Sequence, residues 1–385
     1  MEKILHILLF IWSTGTNMVR KVFPAYLAGF VPSAFLISLV TTGYNVGKSL
    51  SIPCGIASDK MGKIQSLMLS FFLISIVALL ISLTTNLFHY VILFVVIGIV
   101  SNFYYNANNA LISLQKRKTE SFFKMEAFYQ IGLFIGPIIG GWVVSFYSMT
   151  LALYAWAILG LIGFAISTVL SKREHLEKKS IEVGKFFREL RKNNTRCFSF
   201  FLVGSMFTGL FFGTMNFTMP LYIIGLGMEI YHVGIVIGAG AVISTIGTYL
   251  LGSVFQKFSK EKSFIIIMIV TGISFFAMTY SFDIVTLSLI YGIFNIARAG
   301  GLNISRALIA GKTTEGTRAT SMAFLDMLHF GGAFIGPLCA GLLIDTINIQ
   351  SVFLLIFGIS IIGIAIILFE IYVGGKHATE KNRKK

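Results

Sequence analysis

The chain has 385 residues, of which 56% are hydrophobic and only 12% charged, with a net charge of +15 and a mean hydropathy of +0.83. A soluble domain carries about 25% charged residues, so this composition points to a membrane and excludes disordered, collagenous and disulfide-rich classes. Uninterrupted runs of Leu, Ile, Phe and Val also exclude an outer-membrane barrel, whose segments alternate over roughly ten residues. The expectation is an all-α membrane protein.

A crossing needs about 20 mostly apolar residues. In chain order the first candidate, Ile4–Gly29, is too long for a signal-peptide core and lacks an A-x-A cleavage pattern; it contains Asn17, Arg20 and Lys21. The next five are Ala34–Ala57, Ile64–Thr85, Phe88–Leu114, Phe122–Tyr147 and Met149–Leu170. A polar stretch intervenes, and six more follow: Cys197–Leu226, Ile230–Phe255, Phe264–Phe282, Ile284–Ala310, Ala319–Ile344 and Ile349–Val373. Of the 31 Lys and Arg, 27 fall at the ends of the chain, in the stretch 171–196 and at the loops on the same side; the other loops, such as 84–87 and 345–347, carry none. Cytoplasmic loops retain basic residues, so both termini are expected in the cytoplasm, which requires an even number of spans. The remaining cations, Arg20, Lys21, Lys48 and Arg298, lie inside predicted helices.

The halves repeat. Pro24-Ala-Tyr26 recurs as Pro220-Leu-Tyr222, Asn109-Ala-Leu-Ile112 as Arg306-Ala-Leu-Ile309, and Gly55-x-x-x-Asp59-Lys60 in weakened form as Gly252-x-x-x-Gln256-Lys257. The clearest echo sets Gly132-x-x-x-Gly136-Pro137-x-x-Gly140-Gly141 against Gly332-x-x-x-Gly336-Pro337-x-x-Ala340-Gly341. Offsets of 196 to 200 residues predict two pseudo-symmetric six-helix bundles. The expected organisation is an N-terminal bundle (1–170), a basic cytoplasmic linker (171–196), a C-terminal bundle (197–373) and a basic tail (374–385).

With these features the sequence resembles the major facilitator superfamily along its whole length. The segment Gly55-x-x-x-Asp59-Lys60-x-Gly62-Lys63 resembles that family's loop between spans two and three, with Lys60 where Arg is commoner, and the span-five Gly-Pro-Gly-Gly stretch resembles its antiporter motif. Span four lacks the membrane Arg that many proton antiporters of the family carry. Arg20-Lys21 together with Tyr44-x-x-x-Lys48 is similar to the organic-anion and organophosphate branch. The resemblance implies twelve helices, alternating access and a cytoplasmic latch built from Gly55, Asp59, Lys60, Gly62 and Lys63.

Ionisable and polar residues within the spans are further candidates. A charge at mid-membrane is penalised by at least ~2.5 kcal/mol and defaults to function; Lys48 lies roughly 16 Å along a helix from Asp59 and Arg298 about 21 Å into its span. Arg20, Lys48 and Arg298, with Asn17, Asn102, Asn106 and Asn216, are the candidate substrate-binding residues, while Lys21 is expected to snorkel outward. Gly136, Pro137, Gly336 and Pro337 are candidate gating elements, since small residues permit close helix approach and Pro removes a backbone bond. Glu126 and Asp326 occupy equivalent places in the repeat, and His329 lies one turn from Asp326; these are the candidate proton-coupling residues. The alternative readings are structural pairing or carbonyl contacts for the cations, interhelical hydrogen bonding for the asparagines, packing for the Gly-Pro stripes and helix-dipole stabilisation for the acids.

No G-x-x-x-x-G-K-[ST] loop is present, so transport would draw on a gradient. No cofactor, metal or enzymatic centre is indicated, Cys54, Cys197 and Cys339 having neither metal nor disulfide spacing. The expected function is secondary active transport of a small, anionic organic solute across the cytoplasmic membrane. Protons or a counter-substrate would couple it, with anionic lipids at the basic loops, a monomeric state and no nucleic-acid partner. Two alternatives stand beside it: a proton-driven efflux antiporter for amphipathic drugs, and a non-transporting membrane sensor.

Overall fold

In the computed structural model the described residues are 2–113, 118–171, 196–255, 260–312 and 315–383, and every regular element among them is an α-helix. The helices are α1 (Glu2–Arg20), α2 (Phe23–Ala28), α3 (Ala34–Ser49), α4 (Ser51–Met61), α5 (Lys63–Ser82), α6 (Leu87–Ser113) and α7 (Lys118–Phe146). They continue as α8 (Met149–Ser171), α9 (Arg196–Gly225), α10 (Ile230–Phe255), α11 (Lys260–Met278), α12 (Ile284–Lys312), α13 (Glu315–Thr346) and α14 (Ile349–Arg383). Among the described residues nine helices, α5 to α10 and α12 to α14, are long and apolar enough to cross a membrane. The expected linker (171–196) and the basic cluster at residues 116 and 117 lie almost wholly outside the described residues. The backbone of α14 runs on to Arg383, ten residues past the predicted end at Val373.

The first two predicted spans are not single helices. The first breaks after Arg20, and α2 restarts with Pro24 in its first turn, where the missing N–H would be unpaired in any case. The second breaks at Leu50, whose ψ of 29 leaves the helical region. Pro53 accounts for this: it has no N–H for the Ser49 carbonyl, and its ring clashes with that turn. Carbonyls around the break are satisfied from α6, with the Asn102 side-chain amide donating to Gly47 O and Lys48 O at 3.0 Å each and that of Asn106 to Ser51 O at 3.2 Å. Both asparagines thus serve the break with their amide donors, a use that their expected role in substrate binding did not include.

Packing repeats with the sequence. α1 packs on α7 as α9 packs on α13, α5 on α8 as α11 on α14, and α3 on α6 as α10 on α12. The bundles meet along two further matched pairs, α3 with α13 and α10 with α7. Small residues set these distances: a Cβ at Gly136 would lie 2.6 Å from Thr14 O, and one at Gly336 would lie 2.5 Å from Leu210 O. At the ends of the same stripes Gly141 abuts Ile230 and Tyr231 of α10, and Gly341 abuts Ala34 and Phe35 of α3. Each glycine stripe therefore seats its own bundle's first helix and then touches the other bundle.

Candidate functional site

Where α1, α2, α3 and α6 face α9, a narrow cleft is lined by Arg20, Lys21, Tyr44, Asn45, Phe212 and Asn216 among others. The break after Arg20 ends the regular turn of α1 just where its two cations stand. Contrary to the expectation that it snorkels outward, Lys21 is 6% exposed. Its ammonium reaches across the bundles, donating to Asn216 Oδ1 and, at 3.3 Å, to the Tyr291 hydroxyl. The same Asn216 oxygen accepts from Tyr291 at 3.2 Å. Snorkelling fails because the chain turns at Lys21 and Val22, directing the side chain toward α9 and α12.

Arg20 stacks its guanidinium on Tyr44, 3.9 Å from the ring centroid. Its Nε is buried without a hydrogen-bond partner among the described residues, as is Asn17 Oδ1 one turn earlier; Asn17 Nδ2 donates to Ser13 O at 2.8 Å. Arg298 lies over Phe212, 4.7 Å from the centroid, and its Nε donates to Asn295 Oδ1 at 3.2 Å. Lys21 approaches the same Phe212 ring at 5.7 Å. Arg20 and Arg298 both repel Lys21 electrostatically, so three cations share one neighbourhood.

Lys48 sits deeper along α3, buried between the faces of Tyr105 of its own bundle, at 4.5 Å, and Phe330 of the other, at 5.0 Å. Of the predicted binding residues, the structure brings Arg20 and Asn216 to the cleft and Arg298 to Phe212 on its wall. Lys48 and Asn17 lie one turn from cleft residues, and Asn102 and Asn106 lie at the α3/α4 break. Phe212, Tyr291 and Asn295 also belong to this site and were not among the residues expected from the sequence. The last two carried a signal, since Tyr291, Asn295 and Arg298 fall on one helical face at i, i+4 and i+7; Phe212, one of 37 phenylalanines, carried none.

At the α4/α5 turn Gly62 has φ 109, a conformation L side chains rarely adopt, and a Cβ there would strike Gln65. Gly55 faces the Asn106 amide, and Ser58 Oγ bonds Ser66 Oγ across the turn at 2.9 Å. Asp59, beyond the apolar part of its span, has its carboxyl pushed up by burial against the opposing pull of Lys63. No hydrogen bond from Asp59, Lys60 or Lys63 to the other bundle occurs among the described residues. Glu126 is exposed and accepts from Gln130 at 2.8 Å. His329 is buried, with Nδ1 3.3 Å from Thr208 Oγ1 and its ring beside Phe212 at 5.5 Å.

The Major Facilitator Superfamily model matches residues 5–303 and 262–385. The chain belongs to this superfamily. The quinolone resistance protein NorA of Staphylococcus aureus (strain MSSA476) is 24% identical over 383 residues, covering 95% of each chain. The uncharacterized MFS-type transporter YqjV of Bacillus subtilis (strain 168) is 23% identical over 362 residues, covering 90% of this chain and 87% of that one. Among solved structures, the nucleoside transporter NupG superposes with a TM-score of 0.78 at 16% identity, covering 95% and 98% of the two chains. A bacterial homolog to the human lysosomal transporter Spinster, in an inward-facing and occupied conformation, gives 0.75 at 13% identity, covering 96% and 95%. At these identities the structures speak for the fold. The chain is a multi-span membrane protein of a transporter family.

Proposed function

We propose that this superfamily member is a secondary active transporter of a small organic anion, moved across the cytoplasmic membrane by alternating access of the two bundles. In this reading α1 with α2, and α3 with α4, are each one broken crossing; with α11 and the nine long helices this makes twelve spans. Both termini and the 171–196 linker face the cytoplasm, as the distribution of Lys and Arg requires, and the basic loops meet anionic headgroups. Discontinuous helices at mid-membrane are where transporters of inverted or parallel repeats place their substrates.

The observation that supports the anionic cargo is the gathering of Arg20 and Lys21 at a cleft between the bundles, with Arg298 over the same Phe212 ring that Lys21 approaches. Like charges in a low-dielectric site repel strongly, and an anion relieves that repulsion. Arg suits bidentate recognition of a carboxylate or phosphate, and Lys adds a point charge. Buried polar atoms at Arg20 Nε and Asn17 Oδ1 add a demand for a polar guest. Asp59, Lys60 and Lys63 form the cytoplasmic latch, and Glu126, Asp326 and His329 the route for a coupling proton.

A second reading, export of amphipathic compounds, has in its favour the likeness to NorA and the Gly-Pro stripe of α7. Thermal unfolding of the purified protein against organic anions, sugars and cationic amphiphiles separates the two, because a ligand of the folded state raises its stability by mass action. Stabilisation by anions alone supports the first reading. Stabilisation by cationic amphiphiles alone supports the second.

A further inference from the structure

Lys21 stands apart from the other cations because both of its hydrogen-bond partners are neutral and both come from the opposite bundle. An ammonium has three donors. Two are occupied, by Asn216 Oδ1 and the Tyr291 hydroxyl, and no carboxylate among the described residues bonds it. The cations beside it are of the same sign: Arg20 is its chain neighbour and Arg298 lies over the same Phe212 ring. Burying such a charge is costly unless a counter-charge joins it. The acceptor it does have is shared, because Asn216 Oδ1 also receives the Tyr291 hydroxyl. Asn216 itself is anchored through its other end, Nδ2 donating to Phe212 O at 2.8 Å, so its oxygen is presented at a fixed position.

We propose that Lys21, Asn216 and Tyr291 form a subsite for one acidic group of the substrate, a carboxylate or a phosphate-type oxyanion, which takes the place of Asn216 Oδ1 at the Lys21 ammonium. This rests on the anionic cargo proposed above, and it adds a residue that the sequence turned away from the cleft. The Tyr291 hydroxyl then donates to the anion, and the flat face of Phe212, beside Lys21 and Arg298, forms an apolar wall for the body of the substrate. The exchange also has a mechanical consequence. Lys21 belongs to the N-terminal bundle and its two partners to the C-terminal bundle, so an anion that captures the ammonium replaces hydrogen bonds that join the bundles. Occupancy and the freedom of the bundles to rock become linked through one side chain.

Asn216→Asp tests this directly, since it is nearly isosteric and supplies a built-in carboxylate where the substrate's would sit. The full-length protein in detergent is heated with and without benzoate, phenyl phosphate and the neutral analogue benzamide. The wild type is expected to be stabilised by one or both anions and not by benzamide, the two anions separating carboxylate from phosphate recognition. Asn216→Asp is expected to unfold at a higher temperature than the wild type with no anion added, and to bind the anion at least about tenfold more weakly, or ~1.4 kcal/mol. Lys21→Gln is expected to lose the same response without a lower unfolding temperature, which covers the case in which Asn216→Asp does not fold. An unchanged or lower unfolding temperature in a folded Asn216→Asp protein overturns the subsite. Loss of the response in Arg20→Gln but not in Lys21→Gln overturns the subsite and leaves the anionic cargo standing. A wild-type protein that answers neither anion contradicts the anionic cargo, and the subsite with it.

Discussion

At the scale of single residues, ring faces and neutral oxygens contact the buried cations, and Lys48 also feels the carboxylate of Asp326. Lys48 lies between Tyr105 and Phe330, and a desolvated cation–π contact is worth about 2 kcal/mol or more. That attraction offsets only part of the cost of taking an ammonium out of water, and the carboxylate of Asp326 adds to it; a functional role is the reading that removal of the charge tests. Lys48→Gln is therefore expected to keep or raise the unfolding temperature while reducing transport by at least about tenfold, ~1.4 kcal/mol in the barrier. A fall in unfolding temperature with transport unchanged would make Lys48 a packing residue. The choice between these roles was not legible in the sequence, because Phe330 comes from the other bundle and no local spacing announces the contact. The inward course of Lys21 was hidden for a related reason. A continuous apolar run conceals a helix break, and with it the direction of the two cations beside the break.

At the scale of helices, the ends facing away from the Gly62 turn carry a matched pair of contacts between bundles. Asp345 at the end of α13 accepts from Ser33 Oγ at 2.6 Å and from the α3 backbone N–H groups of Ala34 at 2.7 Å and Phe35 at 3.0 Å. At the equivalent place Ser145 Oγ, near the end of α7, accepts from Tyr231 N at the start of α10 at 2.8 Å. A carboxylate at a helix N-terminus satisfies orphan donors and meets the positive end of the dipole, worth about 0.3–1 kcal/mol and up to ~2 when partly buried. Asp345→Asn is expected to loosen this end of the α3/α13 contact by roughly that amount, seen as faster thiol labelling of a cysteine placed at exposed Phe30. Ser145→Ala should do so more weakly, and an unchanged labelling rate in both variants would show that the bundles are held there by packing alone.

A second capping carboxylate, Asp283, lies in the α11/α12 connection and is held below the usual carboxylate range by the Thr286 side chain and backbone N–H, the N–H donating at 2.8 Å. A depressed pKa contributes stability above the unfolded carboxylate range and loses it as pH falls through the folded value. Asp283→Asn should accordingly reduce the acid sensitivity of unfolding below about pH 4, near the ordinary Asp pKa, and an identical pH profile would remove the cap from the account. The helices themselves were largely legible: Ile230–Phe255 is both the predicted and the observed range, and most others agree to within a few residues. Long apolar runs with basic flanks are strong signals. Breaks at Pro53 and near Pro24 were signalled by the prolines and overridden by the continuity of the apolar runs.

At the scale of the molecule, the offset of about 200 residues between the glycine stripes reappears as geometry, each stripe seating α1 or α9 and ending against α10 or α3. The repeat was legible because close approach demands glycine at fixed helical spacing. The cleft between the bundles was legible only as isolated cations. Its aromatic wall and the Lys21 bridge arise from residues about 200 to 270 positions apart in sequence. In the proposed function, two bundles joined at matched helix pairs, with like charges gathered between them, carry an anion from one side to the other. Charge displacement by proteoliposomes on a solid support, after a concentration jump, tests this most directly. Transient currents with benzoate or phenyl phosphate are expected, and they should fall at least about tenfold, ~1.4 kcal/mol, when Arg20→Gln and Arg298→Gln are combined. Currents evoked by tetraphenylphosphonium but by neither anion, and unchanged in the double variant, would contradict it.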